Sequence, residues 1–326
     1  MATALSNGRV QAAAQPARRS RSLWSDAWRR LLRNRASLIS MVYIALLALV
    51  ALLAPVFAPH NPLEIFPGNT YRQAAWIQLP ARPEASGTWQ YPLGTDAIGR
   101  DVLSRLLFGT RTSLLVGFIP MVFTLSIGTL VGLVAGYRGG WTDTLLMRMA
   151  DIVYSFPQFL FFIIVMAALK ETVFGQILNG FLVLFLALSL IGWVGVARLV
   201  RAQVLSLKQK EFIEASRALG VPSSQILRRH LLPNVLGPII ISGAFIVPGA
   251  IIAEAVLSFL GIGLRPATDP NAPFPVSWGN MILDGRSAIN AQPWLLIAPA
   301  IAIASITLAF TFIGDGLRDA LDPREQ

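Results

Sequence analysis

The sequence predicts an all-α polytopic membrane protein, and three observations carry the prediction. Of its 326 residues 54% are hydrophobic and only 13% charged, and the mean hydropathy of +0.60 exceeds that of a soluble domain of this length. Six apolar windows, at about 37–58, 113–136, 152–170, 177–198, 236–260 and 294–314, approach the roughly 20 residues that a helix needs to cross about 30 Å of hydrocarbon. None shows the alternation of a barrel strand, and backbone polar groups in lipid have to be paired within the segment, so the windows read as six transmembrane helices.

Charge placement orients them. The net charge is +10, and eight arginines (Arg9, Arg18, Arg19, Arg21, Arg29, Arg30, Arg33, Arg35) precede the first window. Seven basic residues (Arg198, Arg201, Lys208, Lys210, Arg217, Arg228, Arg229) stand between the fourth and fifth. An even number of spans separates the groups, so they share a face, and the positive-inside rule makes that face and both termini cytoplasmic. Arg100, Arg105 and Arg111, just ahead of the second window, run against the rule but are outnumbered. The charge is thus read as a topology signal, with no nucleic-acid partner. A secretory leader is disfavoured: the first apolar run is too long, and Pro59 follows the one plausible cleavage position, Ala58.

Taken in order, residues 1–22 lack periodicity and read as a disordered cytoplasmic tail. From Leu23 to Leu38, Leu23, Trp24, Ala27, Trp28, Leu31 and Leu32 share a helical face ringed by Arg29, Arg30, Arg33 and Arg35, which predicts an amphipathic helix lying on membrane lipid. Residues 1–36 therefore precede a first span at 37–58. An external loop at 59–110 carries Tyr71, Trp76, Trp89 and Tyr91; a folded cap and an ordered meander both fit it. Residues 111–316 form the transport core, with a cytoplasmic loop at 199–235 and a Pro-rich external loop at 261–293 (Pro266, Pro270, Pro273, Pro275). Residues 317–326 are a cytoplasmic tail.

Catalytic machinery is hard to find. There is no cysteine, and the two histidines, His60 and His230, fall on opposite sides of the membrane in this topology, so they cannot share a metal. AGYRGGW at 135–141 is glycine-rich but lacks the Lys-Ser/Thr pair of a phosphate loop and reads as a tight interfacial turn. Glu254 is the one ionisable residue well inside a window, either hydrogen-bonded to a neighbouring helix or functional. No catalytic residue, metal ligand or cofactor site is assigned. The chain has the body of a transporter, and its energy has to come from elsewhere.

The cytoplasmic loop is the exception to the apolar pattern. In EFIEASRALG, Phe212, Ala215, Ser216 and Leu219 share one helical face, with Glu211, Glu214 and Arg217 on another. Gly220 can take positive φ to end that helix, and Pro222 favours the first turn of a second. That second helix, with Ile226, Leu227 and Leu231 as its stripe, is expected to break at Pro233. Physics alone leaves open whether this knob docks a partner or rests on headgroups.

EASRALG followed by HLLPN resembles the EAA motif of permease subunits in ATP-binding-cassette importers. Glu214, Ala215, Gly220, Leu232 and Pro233 match it, Ser216 replaces the second Ala, and His230 takes a usually aliphatic place, as in the peptide/nickel branch. PLGTDAIGRDVLSRLLFGTRTSL (92–114), AGYRGGWTDTLLMRMADIVYSFP (135–157), LSFLGIGL (257–264), WGNMILDGR (278–286) and GDGLRDALDPR (314–324) extend the likeness to the C-type permease of dipeptide, oligopeptide and nickel importers. External segments 64–91 and 265–276 are longer than in the plainest members.

The resemblance implies a type I ABC importer transmembrane-domain fold and a second homologous permease subunit, forming a heterodimer. It implies two ABC ATPase subunits docked on the Gly220 elbow and an extracytoplasmic substrate-binding protein. Ser216 and His230 would then join the matched residues in the coupling motif, and Glu214 would pair with a basic group of the ATPase. The expected cargo is di- or oligopeptide, with nickel chelates, opines or oligosaccharides as family alternatives, and the chain itself is expected not to be an enzyme. A stand-alone secondary transporter and a membrane scaffold are the rival classes; the first calls for several buried ionisable groups.

Overall fold

The computed structural model describes residues 23–269 and 272–321. The tail expected over 1–22, the side chains of Leu23 and Trp24, Pro270 and the last five residues lie outside the described residues.

Among the described residues there are twelve α-helices and no strand. They are α1 (Leu23–Arg33), α2 (Arg35–Phe57), α3 (Val102–Arg138), α4 (Gly140–Tyr154), α5 (Gln158–Leu169), α6 (Val173–Gln176) and α7 (Phe181–Leu207). The short α8 (Glu211–Ala218) and α9 (Ser223–Ile226) lead into α10 (Leu232–Phe259), α11 (Trp278–Arg286) and α12 (Trp294–Leu321). Five helical stretches are long and apolar enough to cross a membrane: Arg35–Phe57, Val102–Arg138, Val173–Leu207, Ser223–Phe259 and Trp294–Leu321. The pair α4 and α5, which meet at 77°, passes the same test only when taken together. The protein is a multi-pass membrane protein.

Hydrogen bonds sort the helix ends onto two faces. On one, Ser37 donates to the Phe312 carbonyl (2.9 Å), the Tyr137 hydroxyl donates to Ser223 (3.2 Å), and Leu321 reaches Gly237. On the other, Gln73 donates to the Ala291 carbonyl, the Trp278 indole to Leu106 O, and the Arg265 N–H to Asn179 O. The first is the basic face, carrying the loop 208–222; the second carries the loops 58–101 and 260–293.

Four elements differ from the sequence reading. The surface helix stops at Arg33, because Asn34 accepts hydrogen bonds from the N–H groups of Ala36 and Ser37 and so caps a new helix. Ala27 and Leu31 of α1 pack on Leu317 and Ala320, while Trp28 stays 56% exposed, so α1 rests half on protein. The window 152–170 is broken after Tyr154 and not straight: Pro157 has no N–H to return to the helix before it and biases Phe156 away from helical angles. The window 177–198 begins as a left-handed turn, with Leu178, Asn179 and Gly180 at φ of 50, 58 and 93°, and its helix starts at Phe181. Finally, Pro233 does not break its helix. A π turn at Leu227–Leu231 shifts the bonding by one residue, with Leu232 N–H reaching Leu227 O, and leaves Pro233 in the first turn of α10, where no N–H is required.

The frame is tightest between α3 and α7. Gly128, Gly132 and Gly136 lie along one stripe of α3, and Val196, Val200 and Val204 face them from α7. A Cβ on the three glycines would come within 2.6, 2.7 and 2.9 Å of the corresponding valine Cβ atoms, so the backbones touch as small-residue crossings in lipid require. A second apolar body gathers α2, α3, α10, α11 and α12 around Val247, Ile251, Trp278 and Ile306.

Candidate functional site

The shape of the basic-face elbow follows from its local sequence. Lys210 starts α8, whose interior contact is the fully buried Ile213. The helix ends at Gly220, with φ of 73°, and Val221 N–H bonds back to Ser216 O (3.1 Å). Pro222 stands just ahead of α9 as its cap, and Ile226 and Leu231, both fully buried, pin the second limb to Val200, Val204 and Val235. What faces outward is Phe212, Glu214, Ala215 and Leu219, the last 83% exposed, and no atom lies within 4 Å of a Cβ placed on Gly220.

The expected residues take definite places there. Ser216 turns its hydroxyl back to Phe212 O (2.7 Å), so it presents a smooth surface much as Ala would. His230 sits across the elbow with its ring 6.2 Å from that of Phe212, and Asn234 donates to its carbonyl (2.6 Å). Leu232 is half-buried and Pro233 exposed at the foot of α10. The seven motif residues thus lie around one two-limbed surface, with Glu214 on its exposed side.

Glu254 lies at the far end of α10 and is fully buried. Its Oε1 accepts from Ser258 (2.7 Å) on its own helix and from Ser277 (2.7 Å), whose hydroxyl also caps α11 by accepting from Asn280 N–H. Oε2 lies against Gly279, where a Cβ would come within 2.6 Å. The carboxyl joins two helices.

Sequence reading missed a polar knot on the face opposite the elbow. Asp96 accepts from Arg100 (2.7 Å) and from Arg105 (2.6 Å), and both arginines reach Asp284 of α11 (3.1 and 2.7 Å). Arg105 is only 2% exposed. Burial pushes the Asp96 carboxyl up, but the Arg105 and Arg100 guanidiniums and the Arg100 N–H outweigh it and hold it below the usual carboxylate range. The knot fixes the loop 58–101 as an ordered meander on α3 and α11, with His60 packed between Phe66 and Tyr91 (4.9 and 5.0 Å). The available signal was the anomaly itself, since arginines on the side where positive charge is disfavoured call for acidic partners.

Helices α3, α5, α7 and α10 border a half-open recess of about 320 Å³. Thr124, Gln158, Gly192 and Gly249 are among its lining residues, and no charged side chain lines it.

With this geometry in place, the comparisons with known proteins are specific. The family described as "Binding-protein-dependent transport system inner membrane component" matches residues 128–326. The chain belongs to this family. A second family, "N-terminal TM domain of oligopeptide transport permease C", matches residues 22–78 of this inner membrane component. The chain is 44% identical over 94% of its length to the oligopeptide transport system permease protein OppC of Haemophilus influenzae, covering 90% of that protein. It is 40% identical to OppC of Escherichia coli and 38% identical to the dipeptide transport system permease protein DppC of Bacillus subtilis. Each match covers 94% of this chain, and respectively 93% and 88% of the relative. Among solved structures, a chain of the inward-facing MetNI methionine ABC transporter superposes with a TM-score of 0.52 at 19% identity, covering 68% of this chain and 97% of that one. This likeness shows the fold, that of a type I importer's membrane domain. For a binding-protein-dependent transport component, the elbow and the recess fall inside or beside the larger matched region, and the meander straddles the end of the smaller one.

Proposed function

We propose that the chain is the permease subunit through which an ATP-driven importer moves di- and oligopeptides, with the Gly220 elbow as the seat of its ATPase. The carrying observation is an exposed, rigidly founded elbow in a chain whose relatives are peptide permeases. In this reading the basic face is cytoplasmic, and an ATPase subunit closes over Phe212, Ala215, Leu219 and Gly220. Glu214 pairs with a basic group of that subunit. ATP is hydrolysed on the partner, not on this chain. A second permease completes the pathway, and the opposite face, with its meander, receives an extracytoplasmic binding protein. Glu254, held by two serines, acts as a structural link and not as a proton relay.

The test is a complex of both permeases, the ATPases and the binding protein in proteoliposomes. Gly220→Val puts a β-branched residue at positive φ on the docking surface. The assembled complex is expected to lose most of the ATP hydrolysis that loaded binding protein stimulates. Unchanged stimulation in this variant would remove the coupling role. Peptide uptake without ATP or partner subunits would replace the reading with a secondary transporter.

A further inference from the structure

The recess has four features that point to a ligand. It lies at the midpoint of α3, marked by Pro120, and beside the middle of α7, marked by Gly192. Its volume of about 320 Å³ falls in the range of roughly 300–1,000 Å³ typical of small-ligand sites. Its inner wall carries Thr124, which is 1% exposed yet makes no side-chain hydrogen bond among the described residues. Elsewhere Thr110, Thr307 and Thr311 return their hydroxyls to carbonyls of their own helices, whereas Thr112 of α3 and Ser189 of α7 are also buried without a partner among the described residues. The Thr124 hydroxyl instead points at the space beside Gly192, where a Cβ would stand 2.8 Å from Oγ1.

The fourth feature is the break between α4 and α5. Because the chain bends at Pro157, the N-terminus of the twelve-residue α5 opens onto the recess, which Gln158 and Phe159 at its start line. Its first N–H to close back is that of Phe161, on Pro157 O (3.0 Å), and no side chain caps it. Free N–H groups at a helix start carry partial positive charge and accept an oxygen ligand.

Resting on the peptide-import reading above, we infer that this recess holds a carbonyl or carboxylate oxygen of the peptide in transit, with Thr124 Oγ1 and the first turn of α5 as donors. Such contacts read the main chain and not the side chains. The glycines on the walls, Gly192 and Gly249, leave the room through which side chains of different size pass.

The experiment measures uptake by the complete complex in proteoliposomes. The substrates are a tripeptide, its internal thioamide analogue and its C-terminal amide, compared in wild type, Thr124→Val and Thr124→Ser. Val keeps the shape and removes the donor, while Ser keeps the donor. Thr124→Val is expected to slow tripeptide uptake about five- to tenfold, the worth of one hydrogen bond. The loss is expected to be equal for peptides differing in side chain, and Thr124→Ser is expected to restore uptake. Wild type is expected to discriminate against one of the two modified peptides and Thr124→Val not to. Loss of discrimination for the thioamide assigns the oxygen to an internal carbonyl; for the C-terminal amide, to the terminal carboxylate. Wild-type rates in Thr124→Val, a loss confined to one kind of side chain, or discrimination unchanged by the substitution would each overturn the inference. Wild-type complex that takes up no peptide at all would instead remove the import reading beneath it.

Discussion

Both hydrogen bonds to Glu254 Oε1 come from serine hydroxyls, one on α10 and one at the start of α11. A carboxamide oxygen could accept both, so Glu254→Gln is expected to assemble and transport at close to the wild-type rate. Glu254→Leu leaves two buried hydroxyls without their acceptor, at about 1–3 kcal/mol each, and is expected to lower the melting temperature in detergent. A slowed but fully assembled Glu254→Gln complex would make the carboxyl a working group after all. At Asp96 the charge does matter. Its folded pKa is depressed, so the ion pairs contribute fully above the unfolded value of about 4 and are lost as pH falls through the lower folded value. Arg105→Gln breaks a buried pair, typically at about 3–5 kcal/mol. It is expected to raise hydrogen exchange in residues 95–101 at neutral pH, as acid does in the wild type. Protection equal in the two proteins at neutral pH would show that the meander is held by other contacts.

At the scale of elements, the stripe on α3 is the most exacting packing in the molecule. Gly132→Leu would drive a side chain into the Ala197 carbonyl and Val200, and is expected to yield little folded protein on detergent gel filtration. Gly195 of α7, with no atom within 4 Å of an added Cβ, should accept Ala without loss. The five long spans were legible because apolar length suffices to detect them. The bend at Pro157 and the continuity at Pro233 were not, since both residues are prolines next to apolar runs. Their opposite outcomes depend on how the neighbouring carbonyls are satisfied: a π turn carries the helix into Pro233, whereas ahead of Pro157 the Ser155 hydroxyl and N–H close off the Ile152 carbonyl and end α4. The elbow was legible because Gly220 and Pro222 act locally. The recess was not, because Thr124, Gln158 and Gly192 are brought together only by packing.

For the whole molecule, the prediction is sidedness. The sequence has no cysteine, so single replacements report cleanly. Trp89→Cys and Leu219→Cys, at positions 80% and 83% exposed, are expected to react with an impermeant maleimide from opposite sides of the membrane, the second from the cytoplasm. Labelling of both from one side would overturn the topology. The arginines that ran against the charge count, Arg100 and Arg105, are paired with Asp96 and Asp284.

The π turn at Leu227–Leu231 also has a mechanical consequence. By sparing the helix a break, it turns Ser223–Phe259 into one beam of 37 residues, about 55 Å long at 1.5 Å per residue. One end of the beam is bolted to the elbow; near the other, Glu254 clamps α11, and α11 carries Asp284 into the polar knot. A see-saw of about 5° around the middle would move each end by roughly 2–3 Å in opposite directions, the size of helix shifts that switch packed interfaces. Leverage of this kind lets a push delivered at Leu219 arrive as a tug on the opposite face, with no signal passing through the side chains between.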